Sequence, residues 1–146
     1  MSNQVLNVDI SVDTEIKDPN GTEEVISRQE KGSYIQRGSL HLIKYKEEME
    51  EVGVVHTTVI ITGEKITLKR EGPVKMHQVF RIGANTESIY QHPYGQFRME
   101  TRTNRMEYYK GEGNRSGKIF IQYEVVLNED EPREHTLEMK FKEEDA

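Results

Sequence analysis

The stretch YQHPYGQFRMETRT, residues 90–103, places one histidine, two tyrosines, two arginines and a glutamate within fourteen positions. That density invites a reading as a site for acid–base or ligand chemistry. The spacing argues for something plainer. HPYG (92–95) is a β-turn, with Pro93 presetting φ at its second position and Gly95 closing it. Beyond the turn Phe97, Met99, Thr101 and Thr103 alternate with Arg98, Glu100, Arg102 and Asn104. The charges therefore share the wet face of one strand, and Arg98 and Glu100 are same-side neighbours. Most of the stretch is a strand exterior.

Other chemistry leaves equally little local signature. The five histidines, at 41, 56, 77, 92 and 135, show no HxH, HxxH or HExxH spacing, so a metal site would require folding to assemble it. His92, ahead of Pro93, reads as a turn residue. There is no GxSxG elbow, no phosphate-cradling glycine loop and no dinucleotide fingerprint. Carboxylates are plentiful, yet none stands alone in an apolar setting, as an acid of raised pKa would require. No nucleophile or acid–base pair can be named. No catalytic residue, metal or cofactor is assigned, and binding is preferred to catalysis.

The informative residues are polar ones on buried parity. Arg70 continues the face of Ile66 and Leu68, and Gln78 interrupts that of Met76 and Phe80. Tyr45 and Glu47 extend the parity of Ile43 and could supply hydrogen-bond and charge partners. A buried arginine must be paired. Two readings stand. Arg70 pairs with Glu47 or with loop carbonyls and closes one end of the fold, or it awaits an anionic ligand group inside a cavity.

The elements that must position these residues are strands. LNVDISV alternates Leu6, Val8, Ile10 and Val12 against Asn7, Asp9 and Ser11. The same period of two runs through Val74–Ile82, Ile119–Leu127 and Leu137–Phe141. DPNG (18–21) reads as a β-turn, TGEK (62–65) as a two-residue hairpin of type II′, and REGPV (70–74) puts Pro73 at a strand start. IGANT and KGEGNRSGK read as longer hairpin loops. One segment dissents: Leu42, Tyr45, Met49 and Val52 fall at helical spacing, although a strand through Lys46 followed by an acidic loop fits the meander better. Eight to ten strands with short connections describe an antiparallel barrel or sandwich. The expected core includes Leu6, Val8, Ile10, Ile66, Leu68, Phe80, Met99, Ile121, Tyr123 and Met139.

The 146 residues suit one domain, 1–146, with no composition shift to suggest a second. There is no Cys, hence no disulfide framework and no thiolate site. The start MSNQVLNVDI lacks the pattern of a secretory signal, and the longest apolar run, VII at 59–61, is far short of a membrane span. A soluble cytoplasmic protein without membrane association is expected, and the sequons at 20–22 and 114–116 then read as turn chemistry. The net charge of −6 speaks against nucleic-acid binding. Charge is uneven: Glu64–Arg105 holds eight Lys/Arg against four Asp/Glu. The acidic runs at 47–51, 128–134 and the KEEDA end read as solvated loops and a frayed terminus. Arg98 and Arg102 with Lys65, Lys69 and Lys75 could form a basic patch for an acidic protein or RNA, but exposed aromatics do not interleave with them.

GSYIQRGSLHLIKYKEE (32–48), ITLKREGPVKMHQVFRIGANTES (66–88) and the PYG with Met and Thr downstream (93–101) resemble the YwiB-like family of small bacterial proteins. The resemblance runs from about Leu6 to Phe141, and its most specific part is R-x-G-x-V-K-M (70–76). Matching positions are Tyr45, Glu47, Arg70, Gly72, Met76, Phe80, Gly83, Tyr94 and Gly95. His92 stands where a small hydroxyl residue is expected before the proline. The resemblance implies a domain of unknown function with a lipocalin-like, calycin-type β-barrel, and it carries over no catalytic residues. It decides for a single up-and-down barrel over a sandwich. By fold-level analogy it also implies an apolar or amphipathic ligand in the lumen, and Arg70 on inward parity adds that a small ligand there would carry an anionic group. The candidate ligand-binding residues are Arg70, Gln78, Tyr45, Glu47 and Tyr94. The alternative is a protein or RNA interaction module whose lumen is filled and whose outer surface acts.

Overall fold

Period-two alternation is realised as ten strands. In chain order they are β1 (Asn3–Lys17), β2 (Glu23–Arg37), β3 (Leu40–Met49), β4 (Gly53–Ile61), β5 (Ile66–Glu71), β6 (Met76–Phe80), β7 (Asn85–His92), β8 (Gly95–Lys110), β9 (Ser116–Leu127) and β10 (Arg133–Glu143). The computed structural model describes residues 3–144. The strands form one sheet in the order β6-β5-β4-β3-β2-β1-β10-β9-β8-β7, every ladder antiparallel. Sheet twist brings the two outer strands together. There Lys75 and Gln91 exchange N–H···O bonds of 2.9 and 2.8 Å, and the Thr86 hydroxyl donates to the Val79 carbonyl at 2.8 Å. The result is a nearly closed up-and-down barrel at the upper end of the expected strand number.

Inward residues of all walls meet in one core that includes Val8, Ile10, Tyr34, Ile43, Phe80, Ile121 and Phe141. Nine of the ten expected core residues are buried, while Leu6 is half-buried and packs against the cluster from the edge. The expected turns at DPNG and HPYG form: Gly21 N–H donates to the Asp18 carbonyl at 3.0 Å, and His92 pairs with Gly95 across Pro93 and Tyr94.

Several details depart from expectation. TGEK does close a two-residue loop, with Thr62 N–H on the Lys65 carbonyl at 3.0 Å, but Gly63 is not among the glycines of positive φ. The turn is therefore not type II′, which requires φ > 0 at that position. The run 47–51 is a solvated loop only at Glu50 and Glu51, which form the exposed β3–β4 turn. β3 continues through the rest of the run to Met49 because Val54 and Val55 on β4 pair with Glu48 and Glu47. Nor does the acidic end fray within the described residues: Glu143 pairs with Val8, and Glu144 takes an ion pair from Lys31 at 2.8 Å. The last two residues of KEEDA lie outside the described range.

Two irregularities shape the barrel ends. The β2–β3 ladder covers only Gly32–Arg37, leaving residues 23–31 of β2 paired to β1 alone. The strands cross tightly at Gly32, where a Cβ would stand 2.1 Å from the Lys44 carbonyl oxygen. In β8 a bulge between Thr103 and Arg105 reverses the alternation, so that Met106 and Tyr108 turn inward after Thr103.

Candidate arginine cavity

One end of the lumen is not filled. A cavity of about 380 Å³ lies among the last residues of β1, β3, β5 and β9 and the first residues of β2, β6 and β10. Its apolar wall includes Ile16, Ile26, Leu68, Met76, Met99 and Leu137, while Asp130, Glu131 and Arg133 stand at the rim. The rim charges are exposed to water. The polar groups inside are held by strand alternation, which carries Tyr45 and Glu47 inward from β3, Arg70 from β5, Gln78 from β6 and Arg28 from β2.

Glu47 organises them. Its carboxylate is 1% exposed and accepts a hydrogen bond from the Thr57 hydroxyl at 2.7 Å. Its second oxygen lies 3.4 Å from Arg28 Nε, and its first lies 3.7 Å from an Arg70 Nη. One carboxylate thus faces two guanidinium groups. Arg70 pairs with Glu47, as one of the two sequence readings expected, but only at a distance beyond hydrogen-bond range. Its side chain is 25% exposed, yet its Nε is buried and has no hydrogen-bond partner. Gln78, by contrast, is met by Thr101, to which its Nε2 donates at 3.0 Å.

Two tyrosines and a histidine complete the interior. Burial, seconded by the Glu47 charge, pushes the Tyr45 hydroxyl far above its ordinary pKa. Burial likewise pushes Tyr123 up to about 12, so both phenols keep their protons at neutral pH. His135 stacks on Tyr123 with ring centroids 4.9 Å apart. Burial and then the nearby Arg133 charge lower its pKa to about 4, which keeps the imidazole neutral. These groups can donate to an anion, but no arrangement of nucleophile and base emerges from them.

The structure brings Arg70, Gln78, Tyr45 and Glu47 into this one cavity. Tyr94 is not with them. It sits at the tip of the β7–β8 hairpin, 76% exposed and stacked on His92 at 5.2 Å, because a two-residue turn projects its second side chain away from the sheet. Sequence reasoning passed over Arg28 and His135. Parity could have found His135, which shares the side of Leu137 and Met139, whereas Arg28 lies in a polar stretch of β2 with no apolar run from which to count. Two basic residues of the outer wall are met locally: Arg98 by Glu100 and Glu129, and Lys69 by Glu71.

The family model described as "Domain of unknown function (DUF1934)" matches residues 10–139. The uncharacterized beta-barrel protein YwiB of Bacillus subtilis (strain 168) is 27% identical over 121 residues, which are 83% of each chain. The crystal structure of the ywiB protein from Bacillus subtilis superposes with a TM-score of 0.86 at 25% identity, covering 97% of this chain and 94% of that one. The ten-stranded antiparallel barrel is shared along nearly its whole length, and this chain belongs to the DUF1934 family.

Proposed function

We propose that this barrel is a binding protein that holds a small amphipathic ligand in the arginine cavity. The ligand's anionic group sits on Arg70 and its apolar body lies among Leu68, Met76, Met99 and Leu137. One observation carries the reading: the buried Arg70 Nε lacks a hydrogen-bond partner, while the neighbouring Glu47 carboxylate is already shared with Arg28 and Thr57. Leaving a buried charged donor unmet is unfavourable, and a carboxylate or phosphate oxygen would satisfy it with a charge-assisted bond. A volume of about 380 Å³ lies in the range of small-molecule sites, and an apolar wall with a few polar groups is their usual composition. The protonated hydroxyls of Tyr45 and Tyr123 add donors of the right kind. The cytoplasmic location expected from the sequence is kept as part of this proposal.

Native mass spectrometry of gently purified protein, against its denatured mass, tests the reading. Dodecanoate and dodecyl phosphate serve as added probes, with dodecanol as the uncharged control. A retained adduct, lost on denaturation and weakened at least tenfold by Arg70→Met in a protein that still folds, supports it. Retention of none of the three probes, with a clean apo mass, overturns it and shifts attention to partners on the outer wall. Unchanged retention in Arg70→Met removes Arg70 from the site.

A further inference from the structure

The opposite end of the barrel carries a second cleft, of about 770 Å³, with no residue in common with the arginine cavity. His41 enters it from the start of β3, and Tyr108 and Lys110 enter from the end of β8. Tyr108 is there because of the β8 bulge, which sets it inward opposite Ile119 and leaves Tyr109 on the outside.

His41 is 4% exposed, and its Nδ1 lies 2.6 Å from the hydroxyl of the fully buried Tyr34. Tyr34 is clamped by Phe141, whose ring stacks on it at 4.6 Å. Burial raises the pKa of the Tyr34 phenol and lowers that of His41, so both are neutral, and the tautomer in which the hydroxyl donates to Nδ1 is part of the proposal below. A neutral imidazole that accepts at Nδ1 carries its hydrogen on Nε2. Among the described residues no protein acceptor meets that Nε2–H. The Tyr108 hydroxyl stands beside that of Tyr34 and its pKa is raised by burial and by that neighbour, but their contact lacks the geometry of a full hydrogen bond, and no other group meets the buried Tyr108 hydroxyl. Lys110 is close enough for its charge to oppose protonation of His41. The cleft therefore presents donors. Glu64, the carboxylate on its rim, is turned to Arg81 at 3.3 Å and is largely exposed.

We propose that this cleft is a second binding site, for the anionic oxygens of a small phosphate- or carboxylate-bearing molecule, held by His41 Nε2–H, the Tyr108 hydroxyl and the Lys110 ammonium. The site is independent of the arginine cavity, with which it shares no lining residue. Nitrogen-15 NMR of the histidine rings in the full chain tests it, during titration with inorganic phosphate and, separately, with acetate. Sodium chloride at equal ionic strength is the reference. The expected result is a saturable shift at His41 Nε2, weakened at least tenfold by Tyr108→Phe and by Lys110→Gln and unchanged by Arg70→Met. Saturation by phosphate assigns a phosphate group, and saturation by acetate alone assigns a carboxylate. Saturation by neither anion, or a shift that survives in both variants, overturns the site. Lys110→Gln, at an exposed position, carries the test if Tyr108→Phe does not fold.

Discussion

Glu47 of β3 and Arg28 of β2 meet at 3.4 Å across the stretch where the backbone ladder between their strands is missing. The ladder ends at the Gly32–Tyr45 pair, and beyond it this side-chain contact joins the two walls of the cavity. The same carboxylate receives Thr57 and faces Arg70, so one buried group ties three strands to β2.

Removing that group leaves two guanidinium groups facing each other without a counter-ion. Glu47→Gln should therefore cost about 2–3 kcal/mol, short of the full cost of stranding a buried charge because both guanidinium groups reach water while Arg70 Nε stays buried. Arg28→Met should cost under about 1 kcal/mol, because the guanidinium reaches water and its loss leaves Glu47 with Thr57 and Arg70. Urea unfolding near neutral pH checks the order. A smaller loss in Glu47→Gln than in Arg28→Met would contradict the role given to Glu47.

Gly32 makes the crossing of β2 over β3 possible. Its added Cβ would meet backbone, the Lys44 carbonyl oxygen at 2.1 Å, which cannot rotate aside. Gly32→Ala should cost about 3 kcal/mol or more, at the upper end of overpacking effects. At Gly21 nothing lies within 4 Å of the added atom, and only the positive φ of 85° is unfavourable. Gly21→Ala should cost roughly 1 kcal/mol. Paired thermal melts of the two variants decide the comparison.

His135 makes stability depend on pH in a stated direction. The unfolded chain takes up its proton near the ordinary value of 6.5, whereas the folded protein keeps the ring neutral down to about 4. The unfolded state thus binds more protons between these values, so stability is full above the higher one and falls as pH drops towards the lower. The loss should reach about 2 kcal/mol near pH 5. His41 is shifted in the same direction and adds to it. Glu71 and Glu107 are held below the usual carboxylate value of 4.5, mainly by Lys69 and Tyr109, and they add a loss in the same direction only as the pH falls towards that value. In His135→Phe the slope should flatten to the His41 remainder, and denaturant unfolding near pH 7.5 and pH 5 measures it. An unchanged slope would place the titrating group elsewhere.

Glu51 holds φ at +65° in the β3–β4 turn, a region where a Cβ crowds the following carbonyl oxygen. Glu51→Gly should raise stability by roughly 1 kcal/mol, since glycine adopts this conformation freely. A lower melting temperature for this variant would show that the turn depends on the Glu51 side chain.

Much of this was legible in the chain itself. A pleated strand repeats every two residues, so the runs Leu6–Val12 and Ile119–Leu127 announce a wall with one dry side before any partner is known. The same rule turned Arg70, Gln78, Tyr45 and Glu47 inward. It did not reach Arg28, because β2 is polar through residues 27–31 and offers no apolar run from which to count. It also grouped Tyr94 with the others, although a motif position in a hairpin tip projects into water.

Tertiary structure decided the rest. Alternation says which side a residue faces, whereas the empty volume behind it depends on all ten strands closing together, and only closure shows one end open beside Arg70. The β8 bulge is another such decision. Counted from Thr101 and Thr103, the alternation would send Tyr109 inward and Tyr108 out, but one unpaired residue reverses both. That reversal follows from matching β8 to β9, a pairing of two strands that neither segment encodes alone.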